Sequence, residues 1–144
     1  REIGDRRGEG NALGNLGIAY YSLGQYERAI DFYQQRLTIA REIGDRQGEG
    51  NALGNLGITQ LKLGQYSEAL NNLDTVLEIF RELGGRNGEA ETLKNLAELH
   101  QALGEVEVAR QYARQALALA TELGIPLQSE CEALLAELEQ GESS

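Results

Sequence analysis

The chain has 144 residues and a formal net charge of −10, with 13 basic and 23 acidic side chains. This acidic balance argues against nucleic-acid binding, which needs a basic face to follow the phosphates. The single cysteine excludes an intrachain disulfide and a cysteine-cluster zinc site. No apolar run reaches the ~18 residues of a membrane span and no signal peptide is present, so a cytoplasmic location without membrane contact is expected.

The sequence repeats itself every 40 residues. Closely similar segments begin at Arg1, Arg41 and Arg81, and residues 1–40 match residues 41–80 at 24 of 40 positions without a gap. A fixed period of this length is typical of one supersecondary unit stacked side by side, each unit burying its apolar face only against its neighbours. Such arrays present a long surface to a partner, so the period indicates binding rather than catalysis.

The first period predicts two helices. Helical spacing of apolar residues over about 6–23 indicates the first helix, which Gly24 can end by taking a positive φ. The apolar face of this helix consists of Leu13, Leu16, Gly17 and Tyr20. A second helix ends at Gly44, after which Asp45 can accept hydrogen bonds from the next helix. The apolar face of this second helix consists of Tyr26, Ala29, Ile30, Tyr33, Leu37, Ala40 and Ile43.

The same pattern recurs in the next two periods, which predicts repeats at about 5–44, 45–84 and 85–124. Only about two residues separate successive helices, so neighbours are expected to pack antiparallel. Gly17 and Gly57 lie on apolar faces, where a missing side chain is expected to let two helix backbones approach closely. That approach would offset the ~1 kcal/mol that glycine costs within a helix.

The end of the chain predicts one amphipathic helix over about 126–140 that caps the stack. Pro126 suits a first helical position after Gly124. The apolar stripe of this helix consists of Leu127, Cys131, Leu134 and Leu138, and its mostly water-facing glutamates are Glu130, Glu132, Glu137 and Glu139. Residues 121–144 hold six acidic and no basic side chains. A solvated closing surface explains this charge, and an acidic patch for a basic partner is the alternative.

The beginning of the chain repeats the junction between two units. Residues 1–5 are identical to residues 41–45, which close one repeat and open the next. The chain is therefore expected to start in the tail of a helix, as a fragment of a longer array or as an array designed from one sequence. In either case the first helix pair should expose a face that a preceding repeat would cover.

With these residues in place, the unit resembles the tetratricopeptide repeat, a helix–turn–helix module. The residues that carry the resemblance are Leu13, Leu16, Gly17, Tyr20, Ala29 and Tyr33. The unit departs from the family pattern in having leucine for the signature tryptophan, no proline at the end of the second helix, and 40 residues instead of ~34. Its ALGNLG segments, at residues 12–17 and 52–57, are similar to the Leu-Gly-Asn subclass, which is common in bacterial and especially cyanobacterial arrays.

The resemblance implies a single all-α domain over residues 1–144. Its architecture would be a right-handed solenoid of three helix–turn–helix units and a capping helix, with seven helices in all. The first helices of the repeats would line a concave groove that binds a protein or an extended peptide. The groove residues expected are Asn11, Gly14, Asn15, Ile18, Tyr21 and Ser22 in the first repeat, Asn51, Gly54, Asn55, Ile58, Leu61 and Lys62 in the second, and Glu91, Lys94, Asn95, Glu98, Gln101 and Ala102 in the third.

Asparagine is the recurrent polar residue of this predicted groove. Asn15, Asn55 and Asn95 would form a ladder, and a carboxamide, which both donates and accepts hydrogen bonds, suits the backbone of an extended peptide. Gly14 and Gly54 would leave room for that backbone. In the alternative interpretation, the asparagines bond to an adjacent helix or to water and only stabilise the stack.

The resemblance also indicates which ligand chemistry is missing. Family members that capture chaperone carboxylates use a lysine and an asparagine one turn apart, at positions held here by Gly14 and Ile18, then Gly54 and Ile58. In the third repeat these positions are Lys94 and Glu98. Only Lys94 matches, so no carboxylate clamp of that type is expected.

No residue pattern indicates an enzyme, a metal site or a cofactor. His100 is interpreted as a half-buried spacer on the packing face and Cys131 as a small core residue. Periodic glutamates are interpreted as scaffold residues that pair with arginines near the helix starts. These are Glu9, Glu49 and Glu89, with Arg6, Arg46 and Arg86.

Two other functions remain open beside peptide binding. The uncovered first repeat could pack against a second copy, which would make the chain a homo-oligomeric assembly module. The chain could also be the sensor array of a larger signalling protein whose catalytic domain lies outside these residues.

Overall fold

A computed structural model describes residues 3–143, with side chains for 4–140, and this part of the chain forms seven α-helices and no strand. The helices are α1 (Ile3–Ser22), α2 (Tyr26–Ile43), α3 (Arg46–Lys62), α4 (Tyr66–Leu83), α5 (Arg86–Ala102), α6 (Val106–Leu123) and α7 (Leu127–Ser143). The predicted all-α class and the number of helices are confirmed. The expected placement of Arg1 and Glu2 in a helix tail lies outside the described residues.

The helices belong to two compact units, Arg1–Ile79 and Phe80–Ser144, called unit 1 and unit 2 below. Their boundary falls inside α4. In unit 1, α1 packs against α2 and α2 against α3. In unit 2, α5 packs against α6 and both contact α7. Each unit therefore buries its apolar residues between sequential helices, as the short connections predict.

The junction between the first and second repeats is a glycine turn followed by a side-chain cap. Gly44 adopts the left-handed conformation, with φ 69° and ψ 27°, and its N–H donates to the carbonyls of Ala40 and Arg41. Asp45 then accepts a hydrogen bond at Oδ1 from the N–H of Gly48 at 2.9 Å. Both features were predicted, because each depends on residues close in sequence.

The equivalent turn is absent at Gly4, which lies inside α1 and has no positive φ. The first helix thus begins at Ile3, three residues earlier than the sequence predicts.

In the first two repeats the paired helices fit together by matching a glycine to a large side chain. A Cβ on Gly17 would lie 2.5 Å from the Tyr33 ring, and a Cβ on Gly57 would lie 2.9 Å from the Leu73 side chain. The expected close backbone approach holds in part at Gly57, where the carbonyl oxygen of Ala69 also lies 3.6 Å from the Cβ position, whereas at Gly17 the nearest atoms are those of the Tyr33 side chain. The space that each glycine leaves is filled by a side chain of the partner helix, and Tyr33 is only 2% exposed.

One contact between paired helices changes its chemistry from repeat to repeat. Tyr20 stacks on Phe32 with ring centroids 5.3 Å apart. At the equivalent place Asn72 donates a hydrogen bond to Gln60 at 2.8 Å, and in the third repeat His100 stacks on Tyr112 at 5.4 Å. His100 is thus half-buried, as predicted, and its Nδ1 lies 2.7 Å from a carboxylate oxygen of Glu105.

One side of α1 is exposed, whereas the equivalent side of α3 is covered. Leu16 is 45% exposed, whereas Leu56, its equivalent in α3, is 3% exposed. Leu16 was predicted on the packing face. Among the described residues α2 packs against α3, and this side of α1 is exposed, as the sequence predicts. That a preceding repeat covers it stays a prediction.

Candidate functional site

The residues predicted to line the groove in the first two repeats lie in unit 1, at equivalent positions of α1 and α3. Six of them form what is called here the inner face: Asn11, Asn15 and Ile18 on α1, and Asn51, Asn55 and Ile58 on α3. The three on α1 are exposed, with Ile18 at 49%, and the three on α3 are half-buried. Their spacing of four and three residues places each set on one side of its helix.

Two asparagines of the inner face have unused hydrogen-bonding groups. Within residues 4–140, no protein atom hydrogen-bonds to the side-chain amides of Asn15 or Asn55. The Thr59 hydroxyl does donate a hydrogen bond to Asn55, but to its backbone carbonyl and not to its side chain, at 2.7 Å. The alternative in which these amides tie adjacent helices together thus finds no support in the described residues.

Gly14 has a different neighbour from the one expected. A Cβ there would lie 2.8 Å from Cδ of Arg36, so the arginine stem from α2 occupies the space assigned to a ligand backbone. Gly54, its equivalent, meets only Val76 at 3.9 Å. Sequence reasoning missed Arg36, because its position across α1 depends on how the two helices pack.

Tyrosines lie at the other end of α1. Tyr21 is half-buried and its ring lies 5.2 Å from that of Tyr26. An open cavity of about 380 Å³ borders this turn, lined by Gly24, Gln25, Tyr26, Glu27, Arg28 and Leu63. The Arg28 guanidinium lies 4.9 Å from the centre of the Tyr20 ring. On α3, Leu61 is half-buried and Lys62 exposed.

The third-repeat residues predicted for the groove lie in unit 2, where acidic side chains bind the lysine. Lys94 Nζ lies 3.0 Å from Glu98 and 3.4 Å from Glu130. Burial lowers the pKa of Lys94, but hydrogen bonding and charge attraction from these two glutamates outweigh it, and the net pKa is raised. A ligand carboxylate would have to displace two carboxylates of the chain itself, which supports the prediction of no clamp. Glu91 is exposed and Asn95 half-buried.

The periodic carboxylates form surface ion pairs, with one change from the predicted partners. Glu9 and Glu49 pair with Arg6 and Arg46, as expected. In unit 2, Arg86 pairs instead with Glu122, and Glu89 pairs with Arg81. These pairs link residues eight or 36 positions apart, which sequence spacing within one helix does not reveal. Exposed pairs of this kind stabilise by at most about 1 kcal/mol each.

The described residues include no candidate metal site. Residues 4–140 contain no group of three or more histidine, cysteine, aspartate or glutamate side chains that could hold a metal ion. Within the described helices, none is long and apolar enough to cross a membrane.

Cys131 is fully buried and is expected to react slowly with thiol reagents. Burial raises the pKa of its thiol, with a smaller opposing effect of Lys94, so the reactive thiolate is rarer than in a free cysteine at every pH below that raised value. At pH 8 we expect modification at least about 100-fold slower than in denaturant, because the helix must open first. A Cys131→Ala/Ser129→Cys variant, with its thiol on the exposed side of α7, is the control. Equal rates for the native chain and this control would contradict the prediction.

Comparison with known families agrees with this geometry. A tetratricopeptide repeat family model matches residues 48–122, more than half of the chain, and a second tetratricopeptide repeat model matches residues 12–47. The chain therefore belongs to the tetratricopeptide repeat family. A search of curated proteins finds no match.

Solved structures share the fold at low sequence identity. BtubC (BKLC) from P. vanneervenii is 22% identical, with a TM-score of 0.84 over 93% of this chain and 56% of its own. A Rap protein complexed with competence and sporulation factor is 18% identical, with a TM-score of 0.87 over 99% of this chain and 40% of its own. A STAND signal-transduction ATPase with a tetratricopeptide repeat sensor, from Pyrococcus horikoshii, is 23% identical, with a TM-score of 0.81 over 99% and 22%. The chain spans about half or less of the length of these proteins.

Proposed function

We propose that the chain is a protein-interaction module that binds an extended segment of a partner on the inner face of unit 1. The observation that carries the proposal is the repeated pairing of an unengaged asparagine amide with an isoleucine on α1 and again on α3. Such amides can bond the backbone of an extended chain, and the isoleucines can bury its apolar side chains. Family membership supports the same function, and a Rap protein of this fold is found complexed with competence and sporulation factor.

Hydrogen bonds and apolar burial together can supply useful affinity. Each amide–backbone hydrogen bond contributes about 0.5–1.5 kcal/mol, and each isoleucine buried by a ligand side chain adds about 1–2 kcal/mol. The α3 residues, including Asn55 and Ile58, are half-buried, and this partial burial reduces the entropy lost when a ligand orders them. The α1 residues are more exposed and contribute more contact area.

Peptide selection tests this function without knowledge of the natural partner. A phage-displayed library of random dodecapeptides is selected on the immobilised chain, and the most enriched peptide is measured by fluorescence anisotropy. Asn15→Ala/Asn55→Ala should weaken its binding about tenfold or more, while Asn71→Ala, on the exposed side of α4, should leave it unchanged. Adding Asn95→Ala reports whether unit 2 contributes. No enrichment, or equal affinity for the wild type and the Asn15→Ala/Asn55→Ala variant, would refute the proposal.

Self-association is the second candidate function, and the exposed side of α1 favours it. This outer α1 face consists of Ala12, Leu16 and Ala19, all exposed, whereas Ala52, Leu56 and Thr59 at equivalent places in α3 are buried. Contiguous exposed apolar residues are typical of interfaces. Sedimentation equilibrium should then show a dimer that Leu16→Gln dissociates. A monomer at every concentration would exclude this candidate.

A further inference from the structure

Arg36 is held against α1 in a defined position. Its side chain crosses from α2 over Gly14, where a Cβ would lie only 2.8 Å from Cδ of the arginine. Its Nη2 donates a hydrogen bond to Oδ1 of Asn11 at 3.4 Å. Since only glycine leaves this space, the half-buried guanidinium rests beside the inner face with restricted freedom.

Arg36 also differs from the other buried or half-buried basic side chains, because it has no carboxylate partner among the described residues. Five basic side chains within residues 4–140 are buried or half-buried, and four of them contact a carboxylate of the chain. These pairs are Arg6 with Glu9, Arg46 with Glu49, Lys94 with Glu98, and Arg110 with Glu107. Within the same residues, Arg36 contacts no carboxylate and has only the neutral amide of Asn11. A sheltered cation without a counter-charge attracts an anion more strongly than an exposed one.

A second guanidinium lies at the same place. Arg7, Asn11, Arg36 and Asp45 are among the residues that line one hollow of about 10 Å³, which holds a single water at most. Arg7 Nη1 lies 3.7 Å from Asp45 Oδ2. Two guanidinium groups and one carboxylate leave one positive charge uncompensated. An incoming anion would lie at the mouth of the hollow, beside the exposed Arg7.

The two arginines are specific to the first repeat. The second repeat keeps Asn51 and Gly54 at positions equivalent to Asn11 and Gly14 but has Gln47 and Val76 in place of the arginines. The third has Asn87 and Ala116. The basic pair is therefore not required by the scaffold, and the second repeat shows residues that the same scaffold accepts there.

We propose that Arg7, Asn11 and Arg36 form a subsite for a carboxylate group of the bound segment. Guanidinium groups bind carboxylates through paired, charge-assisted hydrogen bonds, and Asn11 can donate a further one. This subsite adjoins the inner face through Asn11 and rests on the peptide-binding function proposed above. It adds a specificity, namely that the segment carries an acidic group where it crosses the start of α1.

The same dodecapeptide library tests the subsite, with variants taken from the second repeat. Arg36→Val and Arg7→Gln introduce the residues of Val76 and Gln47, so both should fold. Peptides selected on the wild type should be enriched in aspartate or glutamate at one position, and this preference should disappear on Arg36→Val/Arg7→Gln. Arg114→Gln, which removes an exposed charge of α6, should keep it.

Synthetic peptides then locate the carboxylate. Replacing the preferred glutamate by glutamine should weaken binding to the wild type about tenfold and to Arg36→Val less than twofold. Peptides with a free or an amidated C-terminus distinguish a side-chain carboxylate from a terminal one. Enriched peptides without acidic preference, or a preference that survives in Arg36→Val/Arg7→Gln, would overturn the subsite while leaving peptide binding intact. No enriched peptide at all would overturn both proposals.

Discussion

Replacing Leu56 by alanine is expected to lower the free energy of unfolding by about 2–5 kcal/mol, the usual cost of removing a buried leucine side chain. The same substitution at Leu16 should cost less than about 1 kcal/mol. The two leucines occupy equivalent positions one repeat apart, but Leu56 is 3% exposed and Leu16 45%. Urea denaturation followed by circular dichroism, at low protein concentration, measures both values.

Comparing Leu16→Ala with Leu56→Ala also tests whether the outer α1 face is covered in solution. If Leu16→Ala were as destabilising as Leu56→Ala in dilute solution, α1 would be covered by something in the free chain, contrary to the structure. A loss at Leu16 that appears only at high protein concentration would instead support pairing of two copies through this face.

Gly17→Ala is expected to destabilise unit 1 by about 1–3 kcal/mol, although alanine is the better helix former. The added Cβ would lie 2.5 Å from the Tyr33 ring, which is fully enclosed and must shift. Gly8 is the matched control, since it lies in the same helix and a Cβ there meets nothing within 4 Å. Gly8→Ala should stabilise by up to about 1 kcal/mol.

A double-mutant cycle identifies the cause. Tyr33→Ala alone should be strongly destabilising, because it leaves a cavity. The double variant Gly17→Ala/Tyr33→Ala should lose clearly less free energy of unfolding than the sum of the two single losses, because the clash is gone. The pair then becomes alanine with alanine, as at the equivalent Ala97 and Ala113. Strict additivity, or a stable Gly17→Ala variant, would show that the two residues do not pack as described.

Features that depend on neighbours in sequence could be predicted from the sequence. The positive φ of Gly44, the cap at Asp45 and the apolar stripe of α7 follow from local hydrogen bonding and helical spacing, and the structure confirms them. The C-terminal helix α7 begins at Leu127 instead of the predicted Pro126, which lies in the preceding turn. The residues of the inner face were expected from the family resemblance together with helical spacing, and their role as a binding site remains a prediction.

Features that depend on packing between helices could not be predicted. Arg36 gave no signal in the sequence except its difference from Val76, and its place over Gly14 follows from the contact of α1 with α2. The pairing of Arg86 with Glu122 likewise joins residues of two helices. In both cases the side chain is long and has several acceptable partners, so only the arrangement of the helices selects one.

Side-chain amide signals in a nitrogen-15 NMR spectrum test most directly whether the inner face binds the segment. The selected dodecapeptide is titrated into the labelled chain. The account predicts shifts of the amide signals of Asn11, Asn15, Asn51 and Asn55, while those of Asn71 and Asn72 on α4 stay in place as internal controls. Shifts confined to the α4 asparagines, with the four inner-face signals unchanged at saturation, would contradict it.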